Sequence, residues 1–256
     1  MHAPEVKQEA LRLIAEGMND CEIGRRLGVS RTTIRDWRAP RYVRRRFTRT
    51  CPRCWTTTAR ISFSAADYSE LLGLYLGDGC VSRHARTHQL RLALDPKYPG
   101  IVEAAVSLLR RCFPENSVGQ VRGSIGGFGG SCLYVYVYNR HLPCLLPQHA
   151  AGRKYERSIS LEPWQMALLL TAPWGFLRGC INTDGSRFLN RTGRYEYPSY
   201  AFSNRSGDIV RLFSIVCHRL DLRPRVTHNQ ARDLWETRIN RRECVALMDQ
   251  QIGPKH

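Results

Sequence analysis

Lysine and acidic residues are both scarce in this chain. Only four of its 39 basic residues are lysine, and 22 acids leave a formal net charge of +17. That balance excludes an acidic surface and predicts an electrostatic footprint for phosphate. A membrane-spanning stretch is missing as well. The longest uncharged apolar run, residues 164 to 177, is interrupted by Pro173, so no transmembrane helix is expected. No signal peptide opens the chain, and its ten cysteines fall at irregular spacings. This pattern excludes a disulfide framework and reads as reduced thiols in a cytoplasmic protein. A length of 256 residues leaves room for one large core or two domains.

What is present begins with a helical module. Residues 5 to 16 carry Val6, Ala10, Leu13 and Ile14 at helical spacing. Asn19 caps a second short helix that buries Ile23 and Leu27. Gly28 supplies a tight turn, Val29 plugs it, Ser30 caps the next helix, and Ile34 with Trp37 bury that helix. The spacing resembles the helix-turn-helix of resolvases and transposases. Its second helix exposes Arg31, Thr32, Thr33, Arg35 and Arg38, which suit the major groove of double-stranded DNA. A small helical bundle with solvated arginines is the bland alternative. The module occupies residues 1 to 40.

Residues 41 to 63 read as a basic linker. From Arg38 through Arg60 there are eight arginines and no acid, including Arg44, Arg45 and Arg46 in one run, and Pro40 and Pro52 prevent a continuous helix. Such a segment follows a phosphate backbone, because each neutralised phosphate releases counterions. Cys51 and Cys54 within it offer half of a zinc site. His84 and His88 do not supply the other half readily, since they fall where a strand is expected. Packing of the two thiols near Trp55 is the alternative.

Two nine-residue segments carry most of the functional content. The first runs from Leu71 to Gly79 and the second from Leu177 to Gly185, each apolar and each ending in Asp-Gly. Small residues four apart, Gly73 with Gly77 and Gly179 with Thr183, leave one helix face flat, so two such helices can pack backbone to backbone. The closing glycine is a helix stop able to take φ > 0. A close-packed pair would bring Asp78 and Asp184 together, and paired carboxylates suit a hard divalent cation. A longer repeat runs alongside. Asn139 and Asn240, Gly152 and Gly253, and Lys154 and Lys255 all match at an offset of 101. Two of four lysines therefore sit at equivalent positions, unless both are simple solvated surface residues.

Both segments resemble the motif of LAGLIDADG homing endonucleases, with the acid in eighth place and the glycine in ninth. The second copy departs from it with Arg178, Cys180 and Asn182 at its second, fourth and sixth positions. The resemblance covers residues 64 to 256, with halves of about 64 to 160 and 161 to 256. It implies an α+β fold of two pseudo-symmetric αββαββα halves, packed across the paired motif helices into a DNA-binding saddle. It implies that Asp78 and Asp184 hold Mg²⁺ or Mn²⁺ at the scissile phosphates. By order along the chain it places Lys154 and Lys255 at the water network of the attack. A monomer would then cut both strands, and the chain would be freestanding rather than an intein.

Residue patterning agrees with that order. After each Asp-Gly the sequence turns extended, residues 80 to 95 and 186 to 204, with turns at Arg86-Thr87 and Arg191-Thr192-Gly193. Helices follow at residues 99 to 112 and 207 to 220, and extended segments return at 117 to 139 and 223 to 240. Arg83, Arg91, Arg187, Arg191, Arg194, Arg225 and Arg238 fall in the strand regions, where a two-stranded ribbon reads base edges. Any polar sheet face would look similar. Three functions remain open at this stage: a site-specific DNA endonuclease, a transcriptional regulator that keeps the fold without catalysis, and an RNA maturase. The helix-turn-helix disfavours the last, because the A-form major groove does not admit it.

Overall fold

Five buried apolar side chains near the N-terminus, Ala10, Leu13, Ile23, Val29 and Ile34, gather three short helices around them. These are α1 (Pro4–Ala15), α2 (Asp20–Leu27) and α3 (Arg31–Arg38). Pro4 stands at the start of α1, where its missing N–H costs nothing. Asn19 caps α2 by accepting from the Glu22 N–H at 3.0 Å, and Ser30 accepts from the Thr33 N–H at 3.2 Å. Gly28, at φ 64°, closes α2 in the left-handed region. Gly24 carries a requirement that spacing did not reveal. A Cβ there would lie 2.7 Å from the Val29 carbonyl oxygen, so the turn folds directly onto a glycine.

The computed structural model describes residues 3–38, 63–125 and 130–255. The chain divides into two compact units, Met1–Thr48 and Arg49–His256. Arg44, Arg45, Arg46, Cys51 and Cys54 lie outside the described residues, and the expectations for the linker and zinc lie there with them.

The second unit opens with α4 (Ala65–Leu76), β1 (Gly79–Arg83), β2 (His88–Leu94), α5 (Pro99–Cys112), β3 (Val118–Ile125), β4 (Gly130–Asn139) and α6 (Leu142–Leu145). A 3-10 turn, Lys154–Glu156, follows. The second half comprises α7 (Pro163–Thr171), α8 (Pro173–Asn182), β5 (Gly185–Thr192), β6 (Tyr195–Asn204), α9 (Gly207–Arg219), β7 (Arg225–Asn229), β8 (Leu234–Ile239) and α10 (Arg242–Gln251). Each half builds one antiparallel four-stranded sheet, in the orders β1-β2-β4-β3 and β5-β6-β8-β7. The fold is thus the expected α+β arrangement of two αββαββα halves. Pro173 splits the long apolar run into two helices, α7 and α8, because it can begin a helix but not continue one. The second hairpin turns later than expected, at Gly193 (φ 60°), with β5 running on to Thr192.

Alternation sets the sheet faces. Val135 and Val137 on β4 are fully buried, whereas Tyr134, Tyr136 and Tyr138 between them point the other way. The centre belongs to α4, whose residues from Leu71 to Leu76 are all buried, as befits a helix apolar on every side. No helix among the described residues is long and apolar enough to cross a membrane.

Candidate active site

The two motif helices, α4 and α8, cross at their small residues. A Cβ on Gly73 would stand 2.4 Å from the Phe176 carbonyl oxygen and 3.0 Å from Gly179 Cα. One on Gly179 would stand 2.5 Å from the Glu70 carbonyl oxygen, and one on Gly77 would collide with the Thr183 side chain at 2.0 Å. Gly175, overlooked in the sequence, belongs to the same seam, 2.6 Å from the Ala66 carbonyl oxygen by the same measure. Main chain therefore meets main chain, and both helices deliver their closing Asp to one place.

The closing glycines serve a different purpose from the one expected. Neither Gly79 nor Gly185 has positive φ. Instead, a Cβ on Gly79 would lie 2.5 Å from Tyr75 Cα, and one on Gly185 would lie 2.5 Å from Ile181 Cα. The strand doubles back against the last helical turn, and only glycine clears it. The carbonyls of the two acids are anchored alike, Asp78 by the Ala93 N–H at 3.1 Å and Asp184 by the Ser203 N–H at 3.2 Å.

Asp78 is exposed and Asp184 half-buried. The Asp78 carboxyl is pushed up to about 6, first by incomplete hydration in the concave site and next by the charge of Asp184. Asp184 is also raised by its surroundings, while an Asn204 amide donating to it at 2.6 Å favours the charged form. Asn204 was not singled out from the sequence. It stands at the end of β6, and only the strand register shows that it reaches the acid.

Both repeat lysines come to the motif corners. Lys154 Nζ donates to the carbonyls of Tyr75, Gly77 and Gly79 at 2.5, 2.6 and 2.9 Å. It thereby caps the C-terminal end of α4, a favourable place for a cation. Burial lowers its ammonium to about 8, against the pull of Asp184 and Asp78. Lys255 Nζ donates to the Thr183 carbonyl at 2.7 Å, and burial lowers it too. Two carboxylates flanked by two cations make a donor set that fits a hard divalent ion only with further oxygens from outside the chain. Among the described residues no group of three or more His, Cys, Asp and Glu assembles.

Five of the seven strand arginines are exposed, and some of these are also engaged. Arg83, Arg91, Arg194 and Arg225 are exposed in the second unit, Arg91 lying 4.6 Å above the Tyr134 ring. Arg191 pairs with Glu196 at 2.6 Å and Arg238 with Glu236. Arg187 departs from the expected face. It shares the Tyr200 side of the sheet and grips Asp249 of α10 with two bonds of 2.6 and 2.8 Å, because a guanidinium fork matches a carboxylate edge. In the first unit Arg31, Thr32 and Arg35 are exposed, and Thr33 is half-buried. Arg38 is engaged within the unit, donating to Asp20 at 2.7 Å and to the Met18 carbonyl at 2.6 Å.

The Homeodomain-like domain family matches residues 2–47. No curated protein matches the chain. Among solved structures, full-length WhiA from Thermatoga maritima is 12% identical with a TM-score of 0.49, over 77% of this chain and 58% of WhiA. The chain thus spans under two thirds of that protein's length. The N-terminal LAGLIDADG domain of WhiA gives a TM-score of 0.47 at 12% identity, covering 78% of this chain and 86% of the domain. The homing endonuclease I-DmoI, in complex with DNA and Mn, gives 0.49 at 12% identity, covering 75% and 98%. Each likeness is one of fold alone, and the architecture stands on the chain's own helices and sheets.

Proposed function

We propose that this chain is a sequence-specific DNA-binding protein that hydrolyses phosphodiester bonds in both strands of duplex DNA, acting as a monomer with Mg²⁺ or Mn²⁺. One observation carries the reading: two helices forced together by backbone contact at Gly73 and Gly179 deliver two accessible carboxylates to a single site. A packing role alone needs no acid at that point. When bound there, a divalent cation supplies Lewis-acid stabilisation of the phosphate and a more acidic water. The chain's own residues do the rest. Asp78 and Asp184 bind and orient, Asn204 fixes one oxygen of Asp184, and the lysines hold the corners that carry the acids while favouring negative charge at the reacting phosphate. Exposed Arg83, Arg91, Arg194 and Arg225, with Arg31 and Arg35 of the first unit, supply phosphate and base contacts.

The test is incubation of full-length protein with DNA spanning the flanks of its own gene, with and without Mg²⁺. Cleavage should require the metal and vanish in Asp78→Asn and Asp184→Asn, with affinity nearly unchanged. Wild-type cleavage by either variant would refute the assignment. A second reading, a non-cleaving regulator on the same fold, is favoured by Lys154, whose three donors are all spent on backbone carbonyls. It expects tight DNA binding and no cut with any divalent metal.

A further inference from the structure

We propose that Arg178 is a positioning residue: it latches the last turn of α10 to the motif helix α8 and so holds Lys255 at the second motif corner. What Lys255 does there rests on the hydrolytic reading, and the latch itself does not. Arg178 stands at the second position of its motif, where the first copy carries Leu72, a fully buried side chain. Its guanidinium reaches two other helices. One nitrogen donates to the Gln251 carbonyl at 2.8 Å, and the other pairs with Glu70 of α4 at 3.3 Å. Gln251 closes α10, and its carbonyl is among the four at a helix end that lack an intrahelical donor. A cation is favoured at that end.

The contacts form a ring. From Arg178 the path runs to Gln251, along residues 251 to 255, and back through Lys255 Nζ to the Thr183 carbonyl at the end of α8. Arg178 and Thr183 lie about 7.5 Å apart along the helix, whereas four extended residues reach about 13 Å. Holding Gln251 removes that slack. Asp249 fixes the body of α10 through Arg187 and Tyr200, and the turn beyond it is left to Arg178. Gly253, at φ 75°, then bends the chain toward the corner. In the first half Leu72 offers no donor, and Lys154 makes three bonds at its corner against one for Lys255. The half with the weaker lysine contact is the one that carries the arginine.

Glu70 decides which variants are informative. Burial pushes its carboxyl up, and the Arg178 charge draws it back. Removing Arg178 alone therefore strands a buried acid. The double variant Arg178→Met/Glu70→Gln breaks the latch and leaves no unpaired charge, so it accompanies Arg178→Met.

The experiment uses the full chain. Trace acetylation with acetic anhydride, read by mass spectrometry, gives a relative rate for each of the four lysines, with exposed Lys97 as the reference. In both variants Lys255 should label about tenfold faster, the scale of local opening set by one lost charged hydrogen bond. Lys154 should label as before. Single-turnover cleavage with Mg²⁺ should slow by about tenfold, within the roughly 10²-fold that a 1 Å misplacement costs. Adding Arg178→Met to Lys255→Met should slow it no further, because both substitutions remove the action of one group. Unchanged Lys255 labelling in the double variant, or equal acceleration at Lys154 and Lys255, would overturn the latch. Further slowing of the Lys255→Met protein would show that Arg178 acts elsewhere, and would overturn the positioning role. Faster Lys255 labelling in a protein that cuts neither strand refutes hydrolysis and leaves the latch standing.

Discussion

The two halves of the second unit trace the same backbone and place different side chains on it. Their sheets have matching strand orders, their acid carbonyls are held by equivalent strand amides, and a lysine meets each motif corner. Yet the first corner is capped by three bonds from Lys154, and Lys255 makes one, to Thr183. Leu94 stands where Asn204 binds its acid. Main-chain contacts at glycines fix where each acid is delivered, so the neighbouring side chains can diverge without moving it.

Substituting each lysine tests that difference most strongly. Lys154→Met and Lys255→Met should each slow single-turnover cleavage by about 10²–10⁴-fold, the usual result of losing a charge-stabilising group. Their stabilities should part company. Lys154→Met leaves three carbonyls without their donor and should cost about 3 kcal/mol, a fall of roughly 6–12 °C in melting temperature for a unit this size. Lys255→Met removes one bond and should cost about 1 kcal/mol. Equal melting temperatures would show that the Lys154 cap does not hold in solution.

The helix seam offers the next test. In Gly179→Ala the new methyl meets main-chain atoms of the partner helix, the Glu70 oxygen at 2.5 Å and the Leu74 nitrogen at 2.6 Å. The helices must part, so a loss of about 3 kcal/mol or more is expected on thermal unfolding. In Gly77→Ala the new methyl meets Thr183 Oγ1 at 2.0 Å and Thr183 Cβ at 2.5 Å. Rotation of the side chain moves the first and not the second, so a loss of similar size, about 3 kcal/mol, is expected. A Gly179→Ala protein as stable as wild type would mean that the helices do not meet at this depth.

A smaller effect concerns protons. A carboxyl must be ionised to hold a cation. With Asp78 pushed up to about 6, Mn²⁺ affinity of the protein without DNA should drop as pH falls through about 6. An acid with an ordinary value would hold the ion down to about 4. Mn²⁺ titration by electron paramagnetic resonance across that window separates the two, and undiminished affinity at pH 5 would contradict the raised value.

Element order, the four-apart small residues and the convergence of the acids were legible because repetition and helical period are properties of sequence. The repeat also brought Lys154 and Lys255 to equivalent positions. Other features were not legible. Spacing suggested positive φ for Gly79 and Gly185, but their need for glycine comes from a strand doubling back on a helix, which is a tertiary contact. Arg187 sits in a strand like the other arginines, and only register shows that it turns toward Asp249. Asn204 and Leu94 lie at different offsets from their acids because the first hairpin is shorter, so their equivalence depends on pairing rather than count.

The finest test of the comparison makes the second half chemically like the first. Asn204→Leu places at the end of β6 the residue that β2 carries at the same register. The amide now donates to Asp184 at 2.6 Å, and a donor to the charged form favours ionisation. Its removal should raise the Asp184 carboxyl further, and the Asp78 carboxyl should follow only weakly. One lost bond to a half-exposed carboxylate should cost about 1 kcal/mol. Asn204 also accepts from the Ser206 N–H at 2.8 Å at the start of α9, so a melting change alone would not isolate the acid. Carboxyl carbon resonances followed against pH do isolate it. An Asp184 titration identical in wild type and Asn204→Leu would show that the two acids were alike from the start, and that the difference between the halves lies in the charges around them.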